Sequence, residues 1–366
     1  MFISEIPFYF QSNLKKDNGG YPPSFPFQFF FDETYKMYRQ QSTDQLEELL
    51  KQVYAKGSLV DGSISNESGA VYIKKTVDYI QEQIPDLRNK KVLEIGCGSG
   101  IILQALSSTG AHLTGLDPGN HKKLNGIHIL QDYFPSPLVV DRFDLILHFL
   151  VLEHVINPVD FLIQQKKNLK ENGKIIFAVP NCQPFLETGD ISIFIHEHFN
   201  YFTKENIKNV VAETGLFIQD IRVIEGLLFV SLSQDQANEF KSHPTFSFNR
   251  NQFEKAVSVF NAKIVKVIET YKEEDIAIYV AGRALNTLFN IKKTNTRLID
   301  DNSEVHGKYL PCLSRPIESF NELISIPPKC ILIYSRTFGE RIKEKCVKQP
   351  ELKRTSIITL EDVDKQ

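Results

Sequence analysis

His196, Glu197 and His198 stand in immediate succession within Ile195-His196-Glu197-His198-Phe199-Asn200-Tyr201-Phe202-Thr203. An imidazole beside a carboxylate suits general-base work, because the carboxylate fixes the tautomer and stabilises the imidazolium that forms. The run is not H-E-x-x-H, which excludes a zincin-type metal site. A metal held by His196 and His198 would need further ligands, and the sequence nominates none, so no metal is expected. The competing reading is that the run only starts a helix, with Thr203 as N-cap before Lys204-Glu205-Asn206. A second group of residues points to a ligand. Val92-Leu93-Glu94-Ile95-Gly96-Cys97-Gly98-Ser99-Gly100 is an apolar run ending in three close glycines, with Asp117 closing the next apolar stretch. Side chains at the glycines would hold a ligand away from backbone amides and a helix N-terminus. Asp117 is placed to accept both ribose hydroxyls of an adenosine. Glu94 would repel a dinucleotide pyrophosphate and attract the ammonium of an amino-acid-bearing nucleoside.

These residues need a sheet to hold them. From Lys91 to about residue 234 strands and helices alternate, the pattern of a parallel α/β sheet. The expected strands are 91–95, 112–116, 127–130, 143–147, 173–179, 217–223 and 227–232, the last two an antiparallel hairpin through Ile224-Glu225-Gly226. Open α/β sheets bind ligands at the carboxyl ends of their strands. His148, at the end of one, is either a wall of the ligand pocket or a residue that only satisfies backbone groups. His154, in Leu152-Glu153-His154-Val155-Ile156-Asn157-Pro158, reads as structural. The polar loop 62–69, with Ser68 and Gly69 at its end, either closes on the ligand or is a solvated linker before a helix over 71–83.

Elsewhere, residues 1–70 form an aromatic-rich extension with a helix at 44–54, read as a cap; 71–235 form the ligand-binding domain. Residues 236–273 form a linker helix with an apolar stripe at Phe253, Val257, Phe260, Ile264, Val267 and Ile268. Residues 274–366 form a smaller α/β domain whose buried strands lie near 275–282, 296–301 and 330–334. There Gly282 and the helix opening near Ala284, with Arg283 beside them, form either an anion site suited to a diphosphate or a plain turn.

A chain of 366 residues exceeds one compact core. Apolar content of 42%, charged content of 24% and a net charge of −3 are those of an ordinary globular protein, with no footprint for nucleic acid or an anionic membrane. Cys97, Cys182, Cys312, Cys330 and Cys346 are scattered without a C-x-x-C pair, which speaks against a disulfide framework and fits a reducing cytosol. Residues 1–6 lack the pattern of a signal peptide, and the apolar stretch 143–152, broken by Asp144 and His148, is too short to span a bilayer. The expected location is cytoplasmic.

The glycine turn with Glu94 and Asp117 resembles motif I of class I S-adenosylmethionine-dependent methyltransferases, and seven strands ending in a hairpin match the sheet of that family. The resemblance implies a Rossmann-like fold with S-adenosylmethionine as cofactor. It places Glu94, Gly96, Cys97, Gly98, Gly100, Asp117 and Pro118 on the cofactor, with Asp132 and Tyr133 after the third strand where the family contacts adenine. The Glu197–His198 pair, the linker helix and Tyr279-Val280-Ala281-Gly282-Arg283-Ala284-Leu285-Asn286-Thr287 look like the sugar C-methyltransferase family, which methylates C3 of a nucleotide-linked 4-keto-deoxysugar. Further echoes are Asp300-Asp301-Asn302, His306-Gly307-Lys308-Tyr309-Leu310-Pro311 and Arg315-Pro316-Ile317. On that resemblance His198, helped by Glu197, takes the proton α to the ketone, and His196 or Asn200 donates to the enolate oxygen. Asn181, Asn200 and Tyr201 face the substrate, and Gly282, Arg283 and Asn286 grip its nucleotide. Two features depart from the family. No cysteine precedes Cys97, so no zinc module is expected, and Ile195 and the loop around Ser65 stand where the family places pocket tyrosines. Methyl transfer to a sugar hydroxyl or amine, or sugar-nucleotide binding without catalysis, are the alternatives.

Overall fold

The computed structural model describes residues 4–9, 18–54, 67–119, 124–236 and 250–365. Its contacts group the chain into two units, neither contiguous in sequence. One comprises Phe29–Cys182 and Glu197–Phe246, the other Met1–Gln28, Gln183–His196 and Ser247–Gln366. The boundaries expected from the sequence, by contrast, divide it into consecutive segments.

The first unit is built on seven strands, β1 Lys91–Ile95, β2 His112–Leu116, β3 Ile127–Leu130, β4 Phe143–Phe149, β5 Leu169–Pro180, β6 Phe217–Ile224 and β7 Leu227–Ser233. Their order is β6-β7-β5-β4-β1-β2-β3. β3, β2, β1, β4 and β5 run parallel, while β7 is antiparallel to both β5 and β6. The strands are apolar on both sides because both faces are covered. Leu93, Ile146, Ile175 and Phe177 pack on one layer with Leu162, Ile207 and Val210. Val92, Leu145, Leu147 and Ile176 pack on the other with Tyr79, Ile80, Leu103 and Leu106. Glu225 and Gly226, at φ 49° and 78°, supply the two left-handed positions of a tight hairpin turn between β6 and β7. Gly115 in β2 has a packing reason: an added Cβ would lie 2.6 Å from Cys97 Sγ, 2.7 Å from Ile129 Cδ1 and 3.1 Å from Leu103 Cδ1. Gly115→Ala should therefore lower unfolding stability by about 1–3 kcal/mol, the usual cost of overpacking, as read by urea titration.

Short strands Phe29–Asp32 and Met37–Gln40 form a hairpin in the same unit, and Asn200–Tyr201 pairs with its second strand. A helix over Asp44–Tyr54 follows, burying Leu46, Leu50 and Val53 on one face. The helix before β1 begins at Glu67, earlier than expected, and runs to Gln83.

The second unit holds five all-parallel strands, β8 Ile276–Tyr279, β9 Arg297–Ile299, β10 Ile317–Glu318, β11 Cys330–Ile333 and β12 Ser356–Thr359, in the order β10-β9-β8-β11-β12. The sequence reading found the three central strands and missed the two edges, which are short and carry Glu318 and Ser356. The helix Arg250–Glu269 buries the whole stripe from Phe253 to Ile268. Among the described residues no helix is long and apolar enough to cross a membrane.

Candidate functional site

β1 ends in a turn where Gly96, Gly98 and Gly100 adopt φ 68°, 49° and 71°, a region that favours glycine. A Cβ on Gly96 would also meet Val151 Cγ2 at 2.6 Å, so the turn and the exit of β4 are closely packed. Asp117 leaves β2 and spans this turn, its Oδ2 accepting from the Gly98 amide (3.0 Å) and its Oδ1 from the Gly119 amide (2.8 Å). Pro118 lies half-buried between them, and Cys97 packs inward. Glu94 is buried within β1, and its Oε2 has no hydrogen-bond partner among the described residues. Burial first, and then the nearby Asp117 carboxylate, push its carboxyl up to about 8. Asp132 accepts from Ser136 Oγ (2.6 Å) and the Tyr133 amide (2.8 Å), which hold it below the usual carboxylate range, and Tyr133 stands exposed. Gly69 is buried in the helix Glu67–Gln83. Residues 62–66 of the polar loop and the Ser68 side chain lie outside the described residues.

Several expected site residues have other duties. His148 is fully buried, stacked on Phe177 (4.8 Å, 6°) and edge-on to Phe161, with neither ring nitrogen hydrogen-bonded among the described residues. Burial pushes it down to about 3, so it is a neutral core residue and not a pocket wall. Strand alternation sends it into the layer below the sheet. His196 belongs to the second unit, enclosed by Phe8, Phe25 and Phe27, with Nε2 donating to the Phe25 carbonyl at 3.1 Å. It is committed there and not offered to an enolate. Asn200 spends both amide hydrogens on the carbonyls of Leu152 (3.2 Å) and Val155 (2.6 Å), while its Oδ1 accepts from Arg39 Nε (3.1 Å). Asn286 likewise donates to Ile191 (2.9 Å) and Phe194 (2.6 Å) carbonyls, and Tyr201 is fully buried. Asn200, Asn286 and Tyr201 are therefore structural where substrate contacts were expected. Asn181 is half-buried, its backbone N–H donating to the Gly226 carbonyl (3.0 Å). In the second unit Arg283 is exposed over the Phe185 ring, and the bare Gly282 makes room for Tyr9, whose hydroxyl would lie 3.0 Å from a Cβ there.

The first unit instead gathers a cluster that the sequence reading had left dispersed. The turn Leu152–His154 follows β4, and the Phe199 amide donates to the Glu153 carbonyl at 2.8 Å. Asn200 straps the two segments together, and Arg39, which also holds Asp32 (3.0 Å) and the Ile156 carbonyl, braces Asn200. The expected Thr203 cap is present as a capping box with Asn206. This brings the His154 and His198 rings to 4.9 Å at 78°. His154 Nδ1 lies 3.0 Å from the Glu197 carbonyl and 3.3 Å from Tyr54 Oη. A carbonyl only accepts, so Nδ1 carries the hydrogen and Nε2 the lone pair. Glu153 Oε1 lies 3.9 Å from that Nε2. Burial pushes the carboxyls of Glu153 and Glu197 up to about 8 and the His154 imidazole down to about 4. Tyr54, the Glu153-His154 pair and Glu197 are distant along the chain, so their meeting here is not readable from any local pattern.

The cluster and the glycine turn share one electrostatic neighbourhood. Tyr72 is raised by burial and by the charges of Glu94 and Glu153. Tyr54 is raised well above the phenol range by burial and by Glu197, Glu153 and Tyr133, and Tyr133 is itself raised by burial and Asp117. Among the described residues Glu153, His154 and His198 form a group whose ligand atoms lie within 4.8 Å of one another.

Residues 68–220 match the family described as "Methyltransferase domain". The chain is similar to the ubiquinone biosynthesis O-methyltransferase of Actinobacillus pleuropneumoniae serotype 5b (strain L20), 32% identical over 121 residues, covering 29% of this chain and 52% of that protein. The Proteus mirabilis (strain HI4320) protein of the same name is 32% identical over 117 residues, covering 29% and 48%. The chain thus spans about half the length of the curated relatives it matches. Among solved structures, an S-adenosylmethionine-dependent methyltransferase from Clostridium acetobutylicum ATCC 824 aligns over 51% of this chain and 98% of that one, with 13% identity and a TM-score of 0.36.

Proposed function

We propose that residues 68–220, which match the methyltransferase domain family, bind S-adenosylmethionine, and that the chain methylates a small-molecule acceptor at a carbon α to a ketone, in a nucleotide-linked deoxysugar. When bound, the cofactor supplies a methyl group already activated by its sulfonium. Glu94 would take its ammonium, Asp117 its ribose hydroxyls, and the bare backbone of Gly96–Gly100 its closest approach. Glu94 Oε2, without a hydrogen-bond partner among the described residues, fits that set.

What remains for the protein is to orient the acceptor and move a proton, since carbon is a poor nucleophile until the α-proton is gone. The observation that carries the reading is the cluster of two imidazoles and two buried carboxyls on and around the turn after β4, whose preceding residue Val151 packs against Gly96. In it the Glu197–His198 pair receives the α-proton and Tyr54, kept protonated by its surroundings, is a hydrogen-bond donor. Methylation of a hydroxyl is the second reading, favoured by the O-methyltransferase name of the curated relatives. Incubation in deuterated water with labelled cofactor and a panel of nucleotide-linked keto and hydroxy sugars separates the two. Deuterium exchange at the acceptor carbon and a new C–CH3 bond support the first, while turnover onto oxygen without exchange supports the second. A chain that binds the sugar nucleotide but no cofactor would be a binding protein.

Glu94 gives a pH-dependent signature. With its carboxyl near 8 in the free protein it is protonated at pH 7, and an ammonium beside it favours the charged form. Binding of S-adenosylhomocysteine should therefore release close to one proton at pH 7 and progressively less above pH 8. Calorimetry in buffers of different ionisation enthalpy reads this directly, and Glu94→Gln should remove the proton release.

A further inference from the structure

We propose that Glu153, His154 and His198 form a binding site for a divalent transition-metal ion. Three observations carry this. Their ligand atoms already lie within 4.8 Å of one another, although Glu153 and His154 stand on the turn after β4 and His198 on a segment far along the chain. Metal bonds of about 2.0–2.2 Å place such atoms roughly 3–3.5 Å apart, so side-chain shifts of about 1 Å close the site. The His154 ring is also oriented as a metal ligand is. Its Nδ1–H is held by the Glu197 carbonyl at 3.0 Å with Tyr54 Oη at 3.3 Å, which directs the Nε2 lone pair toward Glu153. An outer partner that fixes the tautomer in this way is the regular companion of a ligating imidazole. The third observation is the Glu153 carboxylate. It is 1% exposed, and neither oxygen has a hydrogen-bond partner among the described residues. The His154 Nε2, at 3.9 Å, is too distant to serve as one. A carboxyl removed from water without a partner is costly, and a cation between it and the two rings satisfies it.

Two imidazoles and one carboxylate suit zinc, cobalt, iron or manganese better than magnesium or calcium. Three protein ligands leave coordination positions open, the arrangement of catalytic and not of structural sites. An acceptor oxygen, whether of an enolate or a hydroxyl, is the group those positions would take. That last assignment rests on the methyl-transfer reading above; the metal site itself does not. It divides the polar cluster, giving His198 to the metal alongside His154 and Glu153; with the metal bound, the α-proton passes to Glu197 and His198 acts on the acceptor only through the ion.

The test uses the full chain, stripped with a chelator and titrated with cobalt(II) alone by visible absorption and with zinc(II) alone by calorimetry. S-adenosylhomocysteine binding is measured on the same samples. One metal ion per chain is expected, with ligand-field bands from cobalt. Glu153→Gln and His198→Asn should each weaken it by more than about 100-fold, beyond the 10–100-fold cost of losing an outer partner. Unchanged metal affinity in His198→Asn, which alters a half-buried ring and spares the buried carboxyl, would overturn the proposal even if Glu153→Gln fails to fold. So would absence of binding by the wild-type chain. Cofactor binding without metal binding removes the site and leaves the methyl-transfer reading standing; metal binding without cofactor binding does the reverse.

Discussion

His198→Ala should lower methyl transfer by roughly 10²–10⁴-fold while leaving S-adenosylhomocysteine affinity within about twofold. The split follows from geometry. His198 sits on the strapped segment facing His154, whereas Glu94, Asp117 and the glycine turn are built on β1 and β2. Removing the ring deletes the group that handles the acceptor and leaves the cofactor's contacts in place. Measuring the rate with saturating cofactor, together with calorimetry, checks both halves. A variant that loses both in parallel would place His198 in cofactor binding or folding instead. Substitution of Asn200, by contrast, should act through stability, because its side chain is spent on the Leu152 and Val155 carbonyls.

Asp117→Ala has the complementary effect. The carboxylate holds the amides of Gly98 and Gly119 at 3.0 and 2.8 Å, and it is the group proposed above for the ribose hydroxyls. Charge-assisted hydrogen bonds are worth about 1.5–3 kcal/mol each, so losing two costs roughly 3–6 kcal/mol, about 10²–10⁴-fold in affinity. Cofactor affinity should fall by that order with the polar cluster intact. A loss below tenfold would mean that Asp117 only shapes the turn.

The parallel core of the first unit was legible because each strand is a short apolar run bounded by turn residues, and the glycine turn carries its own stereochemistry. The edge strands β10 and β12 were not, since two to four residues bearing Glu318 or Ser356 have no apolar pattern to read. The cofactor turn was equally visible, as Glu94, the glycines and Asp117 lie on adjacent strands. The two readings of His148 are not separable from sequence because its environment depends on which face of β4 it occupies, which the neighbouring Leu147 and Phe149 do not disclose. The polar cluster was beyond reach for a different reason. Tyr54, His154 and Glu197 meet only because Asn200 and Arg39 fasten three remote segments together, and those side chains looked like site residues or surface charge. His196 shows the converse: next to Glu197 in sequence, it is claimed by an aromatic cage that no local pattern announces.

Titration of the unmodified chain with S-adenosylhomocysteine and, separately, with NAD tests most directly whether the bend after Glu94 holds a methionine-bearing adenosine. The geometry predicts one site for the former with proton release at pH 7, and no heat from the latter. Uptake of NAD with no response to S-adenosylhomocysteine or S-adenosylmethionine would contradict it.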